Sequence, residues 1–421
     1  MKIIIKNGLV ITMDEKREII EKKDIVITDN IITDIVDNYH DKYDILIDAK
    51  NKIILPGLIN CHTHLGMSLF RATNDNMNLM DWLTKKIWPI EDKLTNEDMY
   101  YTTMLSLLEM IKTGTTCAND MYYNCEGSLK AIQETGIRMS FSRCLINDDE
   151  NKIKEFIDLL KNNKNDKITY TVTPHSLYTC SKDYLIKCKE VADKYNLPIH
   201  IHMSENEEEI ENIYSKYHKL PVEVLKDLNF LNNKLILAHA TFLKDSELNL
   251  LKDKDVSICH NPISNLNLGC GIADITKYKN YVNICLGTDG QGSGNNLNMF
   301  YHMSLVDYLQ KGIHKDPLAL ASYDVLKMAT INGAKALGLE KKIGSIEKNK
   351  LADIIILNMH SIHTEPNTNI IANIVHNAIN NVDTVLVDGK ILMKNKELKL
   401  SIDENKIIEK VKNIARRFNN E

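Results

Sequence analysis

The sequence predicts an α/β protein: a (β/α)8 barrel joined to a composite β-sandwich domain that is formed by the segments on either side of it. Eight apolar strand-like runs alternate with helix-like runs between residues 56 and 343, which is the pattern of eight βα units. Short β-like runs recur on both sides of that region. Histidines and acidic residues fall at the last residues of the strand-like runs, the end at which such barrels carry their sites.

The flanking segments have the pattern of a small β-sheet. Residues 2–12 (KIIIKNGLVIT) and 24–36 (DIVITDNIITDIV) are short apolar runs separated by turn residues, and the pattern returns in VDTVLVDGKILM. We expect residues 1–55 and 344–402 to form the composite β domain and residues 403–421 to form a helical tail.

Residues 56–343 are expected to form the barrel. Helix-like segments such as Asn96–Lys112, Lys182–Tyr195 and Asp316–Leu337 separate its strands. The eight strand candidates are Gly57–His64, Thr115–Met121, Arg138–Leu145, Ile168–His175, Pro198–Ser204, Leu235–Thr241, Val256–His260 and Val282–Asp289. A doubly wound open sheet is the alternative, but no glycine motif is present that would bind a nucleotide phosphate.

Composition excludes several other classes of protein. The chain has 421 residues, of which 43% are hydrophobic and 26% charged, with a net charge of -5, so it is typical of a globular protein and offers no basic field for nucleic acid. Nine cysteines without a C-x-x-C motif indicate reduced thiols. No apolar run approaches the ~18 residues of a membrane span. We expect a cytoplasmic homo-oligomer that binds a small molecule and neither nucleic acid nor membrane.

The first strand candidate ends in two histidines that share a face. In LPGLINCHTHLG, the period of two of a strand places Asn60, His62 and His64 on one side. Two converging imidazoles are suited to metal binding, and a hydrogen-bonded pair of surface histidines is the alternative.

A second histidine pair and one aspartate complete a candidate metal site. In LPIHIHMSE, we favour His202 over His200 as the ligand because it lies nearer the strand end. Asp289 ends the eighth strand in VNICLGTD, where a solvated turn residue is the alternative. Three imidazoles and one carboxylate with an open position are typical of a catalytic zinc site, although iron or manganese also fits. We expect one divalent metal per subunit, because His175 stands where a two-metal hydrolase would need an anionic bridging ligand.

A carboxylate near these ligands is the candidate for proton transfer. Glu205 follows His202 by three residues, and a carboxyl group there can accept a proton from water and then donate it. An acidic residue that stabilises the start of helix Glu205–Glu211 is the alternative. His239, in LILAHAT, would orient the nucleophile or stabilise charge in the tetrahedral state, and a hydrogen-bonded core histidine is the alternative. His260, in ICHNPISN, is a core histidine or supports the ligands.

Two further features suggest contacts with a substrate. The segment MNLMDWLTKKIWPIEDKL contains Trp82 and Trp88 and is either part of the core or a lid that contacts a flat aromatic ligand. Arg143 closes the third strand in FSRCL and is expected to point from the rim toward the substrate. An ion pair with a carboxylate such as Asp120 is the alternative for Arg143.

Together these motifs resemble those of the amidohydrolase superfamily. The resemblance extends from KNGLVITMD through LPGLINCHTH, IHMSE, LAHA, CHNPISNLNLG and LGTDG to ATINGAKALGLEKKIGSIEKNKLADIIIL, which is nearly the whole chain. In particular, WLTKKIWPIEDKL, FSRCL, TPHSLYTCS and LGTDGQGSGNNLNMF resemble the 5-methylthioadenosine/S-adenosylhomocysteine deaminases.

This resemblance implies residue roles and a reaction. The metal ligands would be His62, His64, His202 and Asp289. Glu205 would move protons, with His239 and Asp289 orienting the water. The substrate-binding residues would be Glu91, Arg143, His175, Glu205 and Asp289, to which we add Trp82 from the lid. The reaction would be hydrolytic attack at C6 of an adenine ring, with protonation of N1 by Glu205 and release of ammonia. The alternatives are a guanine- or pterin-type hydrolase on the same site and a non-enzymatic scaffold, which loss of the ligands would indicate.

Overall fold

The computed structural model describes residues 1–16, 19–73, 77, 79–123 and 125–419. Within these residues the strands are β1 (Lys2–Ile11), β2 (Ile19–Thr28), β3 (Ile31–Val36), β4 (Ile45–Asp48), β5 (Ile53–Pro56), β6 (Leu58–Thr63), β7 (Thr115–Asp120), β8 (Arg138–Phe141), β9 (Cys144–Leu145), β10 (Ile168–Tyr170), β11 (Thr173–Pro174), β12 (Ile199–Met203), β13 (Leu235–His239), β14 (Val256–His260), β15 (Asn283–Leu286), β16 (Ile354–Leu357), β17 (Val382–Val387), β18 (Lys390–Lys394) and β19 (Glu397–Leu398).

The described α-helices lie mostly between the parallel strands. They are α1 (Leu79–Trp82), α2 (Trp88–Glu91), α3 (Asn96–Lys112), α4 (Cys125–Thr135), α5 (Glu150–Asn162), α6 (Lys182–Tyr195), α7 (Glu207–Tyr217), α8 (Pro221–Asp227), α9 (Asp245–Leu251), α10 (Pro262–Asn267), α11 (Ile275–Tyr278), α12 (Gln291–Gly294), α13 (Met299–His314), α14 (Ser322–Met328), α15 (Ile331–Ala336), α16 (Ile370–Asn377) and α17 (Glu404–Asn419). A π-helical turn, Leu83–Ile87, joins α1 to α2, and 3-10 turns occupy Leu65–Phe70 and Phe230–Asn232.

Strands from both flanking segments share one sheet. β1 pairs antiparallel with β2 and parallel with β4 and β5. β5 in turn pairs antiparallel with β16, with Ile53 opposite Leu357. Among the described residues this gives a nine-stranded sheet in which β17, β18 and β19 continue outward from β16. The composite sheet predicted from the two segments is therefore present in the structure.

The strands between the flanking segments pair in parallel, in chain order. β6, β7, β8 and β10 form one set, and β12 to β15 form another. β9 and β11, which follow β8 and β10 along the chain, pair with each other. Val172 and Ser176 bridge to Ile199 and His202 and so connect the two sets. The backbone N–H groups of Thr288 and Asp289 donate to the carbonyl of His62 at 3.2 and 3.0 Å, which brings the last strand back to the first. These strands are buried over nearly their whole length, which agrees with their near-continuous apolar sequences.

A buried ion pair links the composite sheet to the parallel strands. Arg138, at the start of β8, is 3% exposed, and its Nε and Nη2 lie 2.7 and 3.1 Å from the carboxylate of Asp353. Its Nη2 also lies 3.2 Å from Asp388. The paired geometry satisfies a guanidinium that would otherwise be costly to bury.

The structure departs from the predicted elements at a few places. The predicted helix Asp316–Leu337 is split into α14 and α15, because Thr330 leaves the helical conformation with a φ of -133° and a ψ of -102°. The predicted tail, residues 403–421, is helical over Glu404–Asn419, and residues 420 and 421 lie outside the described residues. No helix in the described part of the chain is long and apolar enough to cross a membrane.

Candidate active site

Four side chains predicted as metal ligands converge at the carboxyl ends of the parallel strands. Asp289 Oδ1 lies 3.1 Å from His64 Nε2 and 3.6 Å from His62 Nε2. His202 Nε2 lies 3.4 Å from His64 Nε2. All four side chains are nearly or fully buried. His62 and Asp289 are 227 residues apart in the sequence and are brought together where the N–H groups of Thr288 and Asp289 donate to the carbonyl of His62.

The Nδ1 atom of each of the three histidines lies within hydrogen-bond distance of a neighbouring group. His62 Nδ1 lies 3.0 Å from His200 Nε2, and His202 Nδ1 lies 2.8 Å from the carbonyl of His175. His64 Nδ1 contacts the carbonyl of Met121. This arrangement leaves the three Nε2 atoms facing one another, which is how metal-binding histidines are normally oriented.

The residues present fit a divalent metal ion. His62 Nε2 is buried and has no hydrogen-bond partner among the described residues, so a metal would satisfy it. Ligand atoms of His62, His64 and Asp289 lie within 4.8 Å of one another, as do those of His62, His202 and His239. Burial keeps the pKa of His62 and His202 well below the usual value, so both rings are neutral and able to ligate. His202 faces this cluster and His200 lies behind His62, which supports the preference for His202.

Glu205 and His239 lie beside this cluster. Glu205 Oε1 is 3.8 Å from His239 Nδ1 and 3.9 Å from the thiol of Cys270. His239 Nε2 is 3.9 Å from Asp289 Oδ2. Burial raises the pKa of Glu205 above its ordinary value. A raised pKa means that the carboxyl group holds a proton more readily than an exposed one does, and a group that binds and releases a proton suits acid–base catalysis.

Helix α10 supplies two residues that the sequence analysis did not identify. Asn265 Oδ1 accepts a hydrogen bond from His239 Nδ1 at 2.8 Å, and Ser264 Oγ donates to Asp289 Oδ2 at 2.6 Å. Since the Nδ1 of His239 carries the proton, its Nε2 is free to act as an acceptor. The only sequence signal for these two residues was their position in ICHNPISN, directly after a strand.

A concave pocket opens above the cluster and is lined largely by apolar and aromatic side chains. Its lining includes His64, Met67, Leu79, Trp82, Trp88, Glu91, Tyr122, Tyr123, Cys144, His175, Tyr178, His202, Glu205, His239, Leu268 and Asp289. Gly290 borders the same place, and a Cβ there would lie 2.4 Å from the sulfur of Met67. The loop after Asp289 therefore approaches the 3-10 turn at Leu65–Phe70 so closely that a larger residue at position 290 would require the side chain of Met67 to move.

The segment Leu79–Glu91 lies against this pocket. Trp82 is 3% exposed and lines the pocket, and its Nε1 has no hydrogen-bond partner among the described residues. Glu91 accepts a 2.5 Å hydrogen bond from the hydroxyl of Tyr122, a residue that sequence reasoning missed. Burial raises the pKa of Glu91 to about 7. The segment is thus packed in the core and also lines the pocket, and its contact with a flat aromatic ligand stays a prediction.

Of the three remaining candidate residues, one lines the pocket and two do not. His175 lines the pocket, with its ring centroid 4.6 Å from that of His202. Arg143 does not line it: its Nε lies 2.7 Å from Glu155 Oε2, and its side chain lines a separate groove between α4 and α5. His260 is fully buried, and neither of its ring nitrogens has a partner in the described part of the chain. The structure thus brings His175, but not Arg143 or His260, to the pocket.

The fold and this cluster are those of a metal-dependent hydrolase, and comparison with known families agrees with this class. The sequence profile of the amidohydrolase family matches residues 53–392. The chain belongs to the amidohydrolase family.

Two relatives and one solved structure to which the chain is similar are all deaminases of adenine nucleosides. The chain is 40% identical to a 5-methylthioadenosine/S-adenosylhomocysteine deaminase of Thermoanaerobacter pseudethanolicus, over 99% of both chains. It is also 40% identical to a 5'-deoxyadenosine deaminase of Methanococcus maripaludis, over 92% of this chain and 95% of the other. The structure is similar to that of a zinc-bound adenosine deaminase from Xanthomonas campestris, with a TM-score of 0.95, 27% identity, and coverage of 100% and 99% of the two chains. The resemblance inferred from the motifs is confirmed.

Proposed function

We propose that this protein is a metal-dependent hydrolytic deaminase that converts the adenine ring of a 5'-modified adenosine to hypoxanthine with release of ammonia. The observation that carries the proposal is the convergence of His62, His64, His202 and Asp289 beside a buried carboxyl group, Glu205, at the base of an aromatic pocket. The names of the relatives support methylthioadenosine, adenosylhomocysteine and 5'-deoxyadenosine as substrates.

One divalent metal, with zinc as the first choice, is proposed to be held by those four residues. When bound, such an ion lowers the pKa of a water molecule toward ~7 and so makes it nucleophilic at neutral pH. The imidazole-rich donor set suits zinc, and the similar structure from Xanthomonas campestris contains it. Iron and manganese are compatible with the same donors.

The protein residues supply proton transfer and orientation. Glu205 takes up the proton lost by the water and delivers it to N1 of the purine, which makes C6 electrophilic. After the water oxygen has added to C6, the second proton of the water passes from that oxygen to the amino group, which leaves as ammonia as the C6 carbonyl forms. His239, fixed by Asn265, presents its Nε2 toward Asp289 and orients the attacking water between them. Exclusion of bulk water by Trp82 and its neighbours strengthens these interactions.

Substrate binding is assigned to the pocket-lining candidates. Trp82 and His175 would contact the purine or the ribose, and Glu91 would accept hydrogen bonds from ribose hydroxyls. Glu205 and Asp289 would contact the ring atoms at which the reaction takes place. The proposed role of Arg143 at the 5' substituent would require it to leave Glu155 and turn toward the pocket, because in the structure it faces a separate groove.

The test is a substrate screen that measures ammonia release and loss of adenine absorbance. We expect activity on methylthioadenosine, adenosylhomocysteine, 5'-deoxyadenosine or adenosine, with guanine and pterin substrates as controls. Activity confined to guanine or pterin would instead support the alternative hydrolase, and an absence of activity in fully metal-loaded protein would support the scaffold.

We also infer the architecture and domain bounds that carry this site. The strand pairing and the return of residues 288 and 289 to His62 support a closed (β/α)8 barrel over residues 56–343. The shared core of β1, β2, β5 and β16 supports folding of the composite sheet into a sandwich from residues 1–55 and 344–402. A helical tail over residues 403–421 is supported by α17, which packs on α3 through an ion pair of Arg417 with Asp98 at 2.6 Å.

A further inference from the structure

A second buried carboxylate lies directly behind Glu205 and has no part in the proposed reaction. Glu209 is 5% exposed and stands at the third position of α7, whose N-cap is Asn206. Its Oε1 accepts a hydrogen bond from the backbone N–H of Ser204 at 3.0 Å, and its Oε2 accepts one from the N–H of Glu205 at 2.8 Å. One side chain therefore holds two successive peptide groups of the turn that carries Glu205.

This turn needs such a restraint. Ser204 adopts the left-handed backbone conformation with a φ of 49°, which is unfavourable for a residue other than glycine. The turn ends β12 after Met203 and redirects the chain so that Glu205 faces the pocket while α7 leads away from it. Without the carboxylate, two buried N–H groups would lose their acceptor.

Glu209 is also more than an ordinary helix cap. In the described residues no lysine or arginine forms an ion pair with it, and burial raises its pKa to about 7. Asn206 already caps the helix by accepting from the N–H of Glu209 at 2.8 Å. The glutamate side chain instead reaches past the N-cap to the two preceding residues, so its contacts serve the turn at Glu205 rather than the first turn of the helix.

We propose that Glu209 is a positioning residue that fixes the backbone of Ser204 and Glu205 and thereby aims the Glu205 carboxyl group at the reacting atoms. This inference rests on the proposed function, because it assigns Glu205 the proton transfer. Displacement of a catalytic group by about 1 Å can cost ~100-fold in rate, so a change at Glu209 should affect turnover.

The chain offers a matched control that has the same chemistry away from the pocket. Glu247 stands at the third position of α9, is 1% exposed, and accepts from the backbone N–H groups of Val222 and Lys244 at 3.0 and 3.1 Å. Burial raises its pKa as well. Replacing either glutamate by glutamine leaves one oxygen for two donors, so both changes cost similar contacts, but only one of them lies next to Glu205.

The experiment compares Glu209→Gln and Glu247→Gln in the metal-loaded protein, with methylthioadenosine as the substrate. We expect both variants to lower Tm and to retain their metal, and only Glu209→Gln to lower kcat, by roughly 10- to 100-fold with KM within about twofold. Glu209→Asp, which keeps both oxygens on a shorter side chain, should lose less than Glu209→Gln. Equal kcat values for the two glutamine variants would overturn the proposal.

Crystal structures of the two variants give a readout that does not depend on activity. A displaced Glu205 carboxyl group in Glu209→Gln and an undisplaced one in Glu247→Gln support the proposal, and an undisplaced Glu205 in both overturns it. If the wild-type protein deaminates no adenine nucleoside, the proposed function fails on its own, and these structures still decide the role of Glu209.

Discussion

Glu205 is the residue on which the proposed chemistry most depends. It is buried beside His239 and Cys270, and burial raises its pKa above the ordinary value of a carboxyl group. Glu205→Gln keeps the size of the side chain but removes the exchangeable proton, so kcat should fall by at least ~100-fold. Metal content, measured by elemental analysis, should be retained. A near-wild-type rate would exclude Glu205 as the proton carrier, and loss of metal would make it a ligand.

Glu91 allows a test that combines stability with function. Burial raises its pKa from 4.5 to about 7, so the folded protein binds a proton more tightly than the unfolded chain, and stability is lost as pH rises from ~5 to ~7. Glu91→Gln removes this loss. The free energy of unfolding of the variant should match wild type near pH 4 and exceed it by about 3 kcal/mol above pH 8.

The same variant should lose substrate affinity, because glutamine is a weaker acceptor for ribose hydroxyls. Denaturant titrations at several pH values and KM for methylthioadenosine measure the two effects. Tyr122→Phe, which removes only the partner hydroxyl, is the control. Equal stability of Glu91→Gln and wild type at high pH would show that burial does not raise the pKa of Glu91.

Sequence reasoning identified residues whose chemistry is rare and whose spacing is regular. His62 and His64 could be placed on one face by the period of a strand, and Asp289 by its position at a strand end. Asn265 and Glu209 were missed because amides and glutamates are common, and their partners are defined only by three-dimensional contacts. The direction in which the Arg143 side chain points could not be inferred from strand periodicity either. The predicted third strand is interrupted between β8 and β9, and Arg143 lies in that interruption.

The helical segment from Leu79 to Glu91 contributes to the lining of the pocket. Its π-helical turn separates Trp82 from Trp88, and local π-helical geometry often occurs at functional sites. Trp82→Phe keeps most of the packing but removes a buried N–H that has no partner among the described residues. We expect KM for the nucleoside to rise by roughly 5- to 10-fold, the cost of one neutral hydrogen bond, while Tm changes little.

A matched control for Trp82 is Trp88→Phe, in the next turn of the same segment. Both tryptophans border the pocket, but the Nε1 of Trp88 is not among the buried atoms without a partner. A similar rise in KM for both variants would show that the N–H of Trp82 does not contact the substrate.

At the scale of elements, long amphipathic helices were predictable and irregular ones were not. The bounds of α3 and α6 follow from capping residues and apolar periodicity, with Thr95 and Ser181 as their N-caps. The third and fourth parallel strands are interrupted, and the predicted helix at Asp316–Leu337 is split. Apolar periodicity in a single sequence does not mark these interruptions.

For the whole molecule, the metal site and the hydrophobic core should be separable. The ligands lie at one end of the parallel strands, whereas the main core extends through residues such as Phe141, Phe156 and Phe230 that do not line the pocket. Chelation should therefore abolish deamination while far-ultraviolet circular dichroism is unchanged, and added zinc should restore activity. Loss of the helical signal on chelation would indicate that the metal has a structural role.

The nine-stranded sheet also has a consequence for protein synthesis. β5 (Ile53–Pro56) pairs with β16 (Ile354–Leu357), which the ribosome makes about 300 residues later. At translation rates of ~5–20 residues per second, β5 waits about 15–60 s with an open, apolar edge. Unpaired edges of this kind associate with other chains. The nascent protein should thus depend on chaperones until residue 357 has emerged, and slow translation of the intervening segment should lower the yield of native protein.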